Sequence, residues 1–249
     1  MFHVEHTQLP SMAGTDPPRE IQNICARNGL QIPDTQIELL ARFVEFLLEW
    51  NAKINLISRR DQENIWYSHV LHSLSLLFFV DVPRGYRLLD IGTGGGFPGI
   101  PLSIARPDLN VVLLDSIRKK TLAVQDMVGR LALTGVSVRT GRAEEVEENG
   151  GAGTFDIVVA RAVAPLRDLV RWSRSYLKES RGMPWETSGE NRLKLTGPAL
   201  IALKGGDLEK EIAEAKIKER VHYIHTLRMS FSGSLEMRLE DKQAVIAGI

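Results

Sequence analysis

Apolar residues recur along this chain with two different periods, and the change near residue 86 divides it. In the first third the spacing is helical. Residues 19–30 carry a short helical pattern ended by Gly29. After Pro33, Thr35-x-x-Glu38 has the form of a capping box. Ile37, Leu40, Ala41, Val44, Leu47 and Leu48 then fall on one face of a long helix, and a further helical stretch covers 61–80. From residue 86 short apolar runs alternate with amphipathic ones. The strand-like runs are 87–91, 110–114, 136–140, 155–160 and 199–204, and the helix-like runs are 98–106, 118–133, 165–178 and 207–219. In 118–133, Ala123, Val124, Met127, Val128 and Leu131 mark a buried face. Strands that are apolar throughout predict a parallel sheet covered on both sides. Two last runs, 221–230 and 236–247, predict an antiparallel hairpin. The expected fold is therefore α/β: a seven-stranded, mostly parallel sheet with helices on both faces and an N-terminal helical extension. Residues 1–18, polar with Pro10, Pro17 and Pro18, read as a flexible arm. Residues 19–85 form the helical region and 86–249 the α/β domain. The polar, Gly/Pro-rich segment 180–197 (SRGMPWETSGENRLKLTG) reads as an inserted loop.

Composition narrows this picture modestly. With 249 residues, 43% hydrophobic and 25% charged, the chain suits one large domain with an appendage. One cysteine, Cys25, permits no intrachain disulfide and fits a cytoplasmic setting. No apolar run reaches the roughly 18 residues of a membrane span, and MFHVEHTQLP lacks the basic and apolar regions of a signal peptide, so no membrane partner is expected. Lys plus Arg equals Asp plus Glu at 31 each, so a nucleic-acid partner would have to be met by local basic clusters.

The candidate chemistry begins at RLLDIGTGGGFPG (87–99). Leu88, Leu89 and Ile91 end in a turn of Gly92, Gly94, Gly95 and Gly96, and Pro98 opens a helix. Glycines allow positive φ and a close backbone approach, and a helix start supplies unpaired N–H groups. The pattern is a socket for a nucleotide-like molecule at the carboxyl end of a strand. Gly94-x-Gly96-x-x-Gly99 also satisfies the dinucleotide fingerprint, which leaves an NAD enzyme open. Two details favour S-adenosylmethionine (AdoMet) instead. Asp90 repels a pyrophosphate but can accept hydrogen bonds from an amine, directly or through water. Phe97 and Pro98 stand where a phosphate would want free N–H groups, and Pro98 has none. Asp115, ending the run Val111-Val112-Leu113-Leu114, is placed to accept from two ribose hydroxyls.

Longer phrases carry a resemblance. WNAKINLIS (50–58) resembles a W-N-x-x-x-N-L-[TI] signature, and SHVLHSLSL (68–76) an H-x-x-D-S segment. DIGTGGGFPGIPLSIARPD (90–108) resembles D-[VI]-G-[ST]-G-x-G-[FL]-P-G-[IL]-P-L. LLDS (113–116), GRAEE (141–145) and VVARAVAPL (158–166) follow in order. From about residue 37 onward, apart from 180–197, the chain resembles the glucose-inhibited division protein B family, the ribosomal RNA small-subunit methyltransferases G. The resemblance implies a Rossmann-like class I methyltransferase that uses AdoMet to methylate guanine N7 in 16S ribosomal RNA, acting on the RNA or on an assembling small subunit. It also implies AdoMet contacts at Gly92, Phe97, Ala143, Glu144 and Arg161, beside those read from Asp90, Gly94 and Asp115. One departure stands out: His72 occupies the place of the family's Asp.

Other residues carry weaker signals. Asp90 could simply cap the following helix, and the acidic run Glu144, Glu145, Glu147, Glu148 could be a solvated surface. Arg161 ends an apolar strand, where a buried cation needs a partner or a ligand. Asn51 and Asn55 could cap a helix or approach a substrate. His69 and His72 share a helical face but alone make no metal site. Trp50 and Trp66 read as core. Basic residues cluster at Arg59-Arg60, at Arg118-Lys119-Lys120 and at Arg167, Arg171 and Arg174. These are candidate RNA contacts, or else a solvated helix face. A small-molecule AdoMet methyltransferase would not need those clusters, and a non-catalytic AdoMet-binding regulator would lack activity altogether. Guanine N7 carries its own lone pair, so no catalytic base is expected, and Arg161 is the candidate for positioning.

Overall fold

The computed structural model describes residues 16–146, 151–179, 182–189, 191–221, 223–234, 239 and 241–249, without the side chain of Arg60. Most of the expected arm (1–15), Glu147 and Glu148 of the acidic run, and parts of 180–197 and of the last two runs lie outside these residues.

Helices α1 (Pro17–Arg27) and α2 (Asp34–Asn51) open the chain. The expected capping box at Thr35 is not the helix start. Pro33 is the N-cap, with its carbonyl taking the amides of Gln36 and Ile37, and the Asp34 carboxylate accepts instead from Gln22 Nε2. The stretch read as one helix over 61–80 is broken into a 3-10 turn (Arg59–Asp61), a π-helical segment (Trp66–Leu71), short helices α3 (His72–Leu74) and α4 (Leu76–Phe79), and strand β1 (Val80–Asp81). Insertions of π geometry recur at functional sites. This one carries His69 and leads into His72.

The chain then alternates: β2 (Arg87–Ile91), α5 (Gly99–Ala105), β3 (Asn110–Asp115), α6 (Arg118–Arg130), β4 (Val136–Thr140), β5 (Ile157–Arg161) and α7 (Leu166–Tyr176). After β6 (Trp185–Gly189) and β7 (Arg192–Leu195) come β8 (Ala199–Gly205), α8 (Glu209–Lys218), β9 (Tyr223–Arg228) and β10 (Lys242–Gly248). Seven strands form one sheet in the order β4-β3-β2-β5-β8-β10-β9, in which only β10 runs antiparallel to its neighbours. The order reverses between β2 and β5. In open α/β sheets, that switch point is where a crevice forms beyond the carboxyl ends of the strands.

Alternate strand residues build two cores. Leu88, Val111, Leu113, Val159, Ile201 and Ile246 pack on α1, α2, α5 and α6. Leu89, Ile91, Val112, Val158, Leu200 and Val245 pack on α7 and α8. The N-terminal helices thus share the first core with the sheet. No helix among the described residues is long and apolar enough to cross a membrane.

The segment 180–197, expected to be a loop, carries the antiparallel pair β6 and β7, and β7 pairs in parallel with β1 to make a second, three-stranded sheet. Arg192 anchors it, donating from Nε to Asp81 (2.9 Å) and from Nη1 to the Phe78 carbonyl (2.9 Å). Trp185, Leu193 and Leu195 are buried in it. The apolar alternation is only two residues deep, and its partner lies more than 100 residues earlier, so local composition could not reveal it.

Asn51 is buried at the end of α2, and its Oδ1 accepts from the amides of Leu56 (2.7 Å) and Ile57 (2.9 Å). This resolves the earlier ambiguity toward structure: Asn51 folds the loop after α2, while Asn55 is exposed. Asn51→Ala leaves two buried amides unsatisfied and is expected to cost about 2–4 kcal/mol in denaturant unfolding. A loss under about 0.5 kcal/mol would show the loop closing without it.

Candidate active site

The glycine turn after β2 has its shape fixed by its own amides. Gly92 and Thr93 donate to the Leu114 carbonyl (2.8 and 3.0 Å), and Gly96 and Phe97 to the Thr93 carbonyl (2.8 and 2.9 Å). Gly94 donates to Asp115 Oδ2 (2.9 Å) and Gly99 to Asp90 Oδ2 (2.9 Å). Gly92, Gly94 and Gly96 have φ of 69°, 58° and 96°, which side chains rarely adopt. A Cβ on Gly92 would stand 2.6 Å from Val163, and one on Gly99 2.2 Å from Leu113. Six turn amides are therefore committed internally and Pro98 has none, so the turn is poorly equipped to cradle a pyrophosphate. This weighs against the dinucleotide reading of the fingerprint.

Asp90 lies beneath the turn, fully buried. Its Oδ2 accepts from Gly99 and from the Thr93 hydroxyl (2.7 Å), while Oδ1 has no hydrogen-bond partner. Burial pushes its carboxyl up to about 6, against the opposing pull of those two hydrogen bonds. Of its two readings, the geometry displays the cap of the following helix.

Asp115 stands at the end of β3, 8% exposed, with Oδ2 on Gly94 and Oδ1 on the Ile117 amide (2.9 Å). Each oxygen keeps acceptor capacity for a ligand hydroxyl. It borders a cavity of about 440 Å³ reaching Gly92, Gly94, Ala143, Glu144 and Trp172, inside the roughly 300–1,000 Å³ of small-molecule sites. Glu144 is exposed there and Ala143 partly buried. Ile117, 41% exposed, and Trp172 supply apolar walls that the sequence reading missed. The signal was an apolar residue opening the basic helix 118–133, and a tryptophan among the arginines of 165–178.

A second cavity of about 530 Å³ lies across the turn and shares Gly92, Gly94 and Ala162 with the first. Arg161 projects into it from the end of β5. Its guanidinium donates to the Ser68 carbonyl (3.2 Å), contacts His69 Nδ1 and stacks 5.0 Å from the Phe97 ring centroid. Phe97, 3% exposed, is a floor for Arg161 and for the His69 ring at 4.9 Å. Desolvation lowers the guanidinium to about 10, which leaves it charged at neutral pH. His69 Nε2 is 3.6 Å from Asp61, too long for a hydrogen bond, and has no hydrogen-bond partner among the described residues. Burial, reinforced by the charge of Arg161, lowers His69 to about 4. His72 is buried with Nε2 unpartnered, and burial, then Arg161 and Lys242, lower it to about 3. Both rings are neutral at physiological pH. Among the described residues no group of three or more His, Cys, Asp or Glu could hold a metal.

The basic clusters separate. Arg167 pairs with Glu214 (2.7 Å), Arg171 with Glu219 (2.8 Å), and Arg174 donates to the Glu219 carbonyl. These three candidate RNA contacts form a seam between α7 and α8, and their charge is met within the fold. Arg118 and Lys119, exposed at the start of α6, have no ion pair among the described residues. Trp50 is half-buried, donating to Asp126 (2.8 Å), and Trp66 packs against the first core.

A parallel sheet closed by one reversed strand, with an acidic glycine turn at its switch point, defines the class: an AdoMet-dependent methyltransferase of Rossmann-like topology. A predicted O-methyltransferase from Agrobacterium tumefaciens shares the fold, with a TM-score of 0.51 at 16% identity over 72% of this chain and 79% of that one. The chain belongs to the rRNA small subunit methyltransferase G family, whose model matches residues 36–239. It is 40% identical over 195 residues to the ribosomal RNA small subunit methyltransferase G of Chlorobium luteolum, covering 78% of this chain and 73% of that protein. To the protein of the same name from Chlorobaculum tepidum it is 34% identical over 229 residues, covering 91% and 96%.

A neutral buried histidine leaves a pH signature. The unfolded-state pKa is about 6.5, and the folded value of His72 is about 3. As pH falls below about 6.5 the unfolded chain takes up a proton that the folded one refuses, so stability falls by about 1.4 kcal/mol per pH unit down to the folded value. Asp90, raised to about 6, acts in the opposite direction over about pH 4 to 6, so the contribution of His72 is read by difference. His72→Gln should gain stability relative to wild type as pH falls from about 7 to 4 in urea unfolding. A difference that is constant with pH would mean that the ring titrates normally.

Proposed function

We propose that this chain transfers the methyl group of AdoMet to N7 of a guanine in 16S ribosomal RNA, free or in the assembling small subunit, in the cytoplasm. The observation that carries this reading is the pair of cavities on either side of one glycine turn, with a carboxylate at one and a fixed guanidinium in the other. The donor set fits AdoMet: Asp115 for ribose hydroxyls, Ile117, Ala143, Glu144 and Trp172 around the adenine, and Gly92 and Gly94 for close backbone approach. When bound, AdoMet supplies a methyl group on a sulfonium. Asp90 braces the turn from beneath through Thr93 and Gly99, and Phe97 faces the second cavity.

The chain's own task is then positioning. N7 needs no deprotonation, and the two histidines nearest the second cavity, lowered to about 4 and about 3 chiefly by burial, are poor proton acceptors, which suits a site with no general base. Arg161, clamped by Ser68, His69 and Phe97, presents a fixed donor toward a base edge. Holding two reactants in line supplies much of such a rate enhancement. Lys120 lines the first cavity, and Arg118 and Lys119, exposed just before it at the start of α6, are the stronger candidates for phosphate contact, ahead of Arg167, Arg171 and Arg174.

Incorporation of tritiated methyl from AdoMet into 16S ribosomal RNA, mapped to the nucleotide, tests the reading. Incorporation only into small molecules would favour the competing class. Asp115→Ala is expected to weaken AdoMet binding by roughly 1.5–3 kcal/mol in calorimetry. Arg161→Lys keeps charge but loses the planar fork, and should lower single-turnover methylation at least tenfold, about 1.4 kcal/mol, with the thermal midpoint little changed. A fully active lysine variant would remove Arg161 from the site.

A further inference from the structure

Beyond Arg161 the cleft continues into a third recess of about 210 Å³, between the ends of β5 and β8 and the start of β10. It shares His72, Arg161, Ala162 and Lys242 with the second cavity but contains no residue of the glycine turn. Three cations line it, Arg161, Lys204 and Lys242, against one carboxylate, Glu211. That carboxylate is already committed: its Oε2 lies 2.6 Å from Lys204 Nζ and accepts from the Leu166 amide (3.0 Å). Arg161 has no ion pair among the described residues: its guanidinium meets a carbonyl, an imidazole and the Phe97 ring, and Asp90 and Asp61 act on it only at longer range. Lys242, half-buried and paired through its backbone with Gly205 at the end of β8, has no ion pair among the described residues. The His72 ring, 6% exposed and with an unpartnered Nε2, lines the same recess as these two cations. Partly buried charges are ordinarily paired. Among the described residues that line the recess, Glu211 is the only carboxylate.

We propose that this recess is an anion subsite that takes a phosphodiester of the RNA strand beside the target guanine, held by Lys242 and Arg161 on the rim of the His72 ring. The proposal rests on the ribosomal RNA reading. A phosphodiester fits better than the carboxylate of AdoMet. The recess is set apart from the glycine turn that both other cavities share, and it opens from the cavity that would hold the base. A strand whose base enters the second cavity has its backbone alongside.

The test is steady-state methylation of small ribosomal subunits and of 16S ribosomal RNA at several salt concentrations, with AdoMet affinity measured separately by calorimetry. Lys242→Gln is expected to raise KM for RNA about tenfold. It should lower the slope of log KM against log salt by about one phosphate, roughly 0.7–0.9, and leave AdoMet affinity within twofold. Lys242→Arg should restore both RNA parameters. His72→Asp brings a carboxylate to the same cations and should mimic Lys242→Gln. An unchanged RNA KM and salt slope in Lys242→Gln would overturn the proposal. So would a loss of AdoMet affinity without a change in RNA KM, because the occupant would then be the cofactor's carboxylate. Wild-type protein that methylates neither RNA substrate would overturn the underlying reading and this proposal together.

Discussion

Two carboxylates hold the backbone around which this molecule is organised. Asp90, at the end of β2, reaches under the glycine turn to the Gly99 amide, and Asp115, at the end of the neighbouring strand, reaches over to Gly94. Between them they fix the turn at both ends. With the amides closed on Leu114 and Thr93, the turn becomes a rigid partition with one cavity on each side. Asp90 is buried at a cost, visible in its raised pKa. That cost is tolerated because the helix start and the Thr93 hydroxyl supply two donors to the same oxygen.

Much of the fold was legible because its signals are local. Runs such as Leu88–Ile91 and Val111–Leu114 are apolar on both faces, and only a parallel sheet covered on both sides buries both faces. Asp115 was legible for the same reason: a carboxylate ending such a run lies at a strand's carboxyl end. What stayed hidden depended on partners far away in sequence. Arg167, Arg171 and Arg174 look like a free basic stripe until α8 brings Glu214 and Glu219 against them. The hairpin of β6 and β7 looks like a loop until β1 offers an edge. Lys242 carries no local mark at all, and only the reversed strand β10 returns it to the cleft. Sequence patterns report periodicity well, but they say little about which charges will meet.

The electrostatics of the cleft change along its length. The first cavity mixes signs, with Asp115 and Glu144 beside Lys120 and Arg142, the second sets Arg161 and Lys242 against Asp61, and the third recess carries Arg161, Lys204 and Lys242 against Glu211. A polyanion is therefore favoured at the third recess more than at the first cavity, where Asp115 offers acceptors to hydroxyls. His69 and His72, both held neutral by burial, leave this balance undisturbed at physiological pH. In a partly desolvated groove such a local excess of charge orients ligands more effectively than the neutral overall charge of the chain suggests.

The wall between the first two cavities has its own physical requirement. Ala162 adopts a φ of 53°, a left-handed conformation that costs a non-glycine residue about 1 kcal/mol or more. Such strain persists only where the surroundings over-determine the backbone. Here Lys204 Nζ holds the Ala164 carbonyl (3.0 Å) and Glu211 holds the Leu166 amide, both anchored on the other side of the sheet order. The bend aims Val163 at Gly92, where a Cβ would collide with it. Glycine at 92 and the strained residue at 162 are thus two halves of one contact, which sets the width of the passage between the cavities. The ion pair of Lys204 with Glu211, which itself lines the third recess, therefore also stabilises the passage between the first two cavities, and α8, which carries that glutamate, becomes part of the groove's geometry.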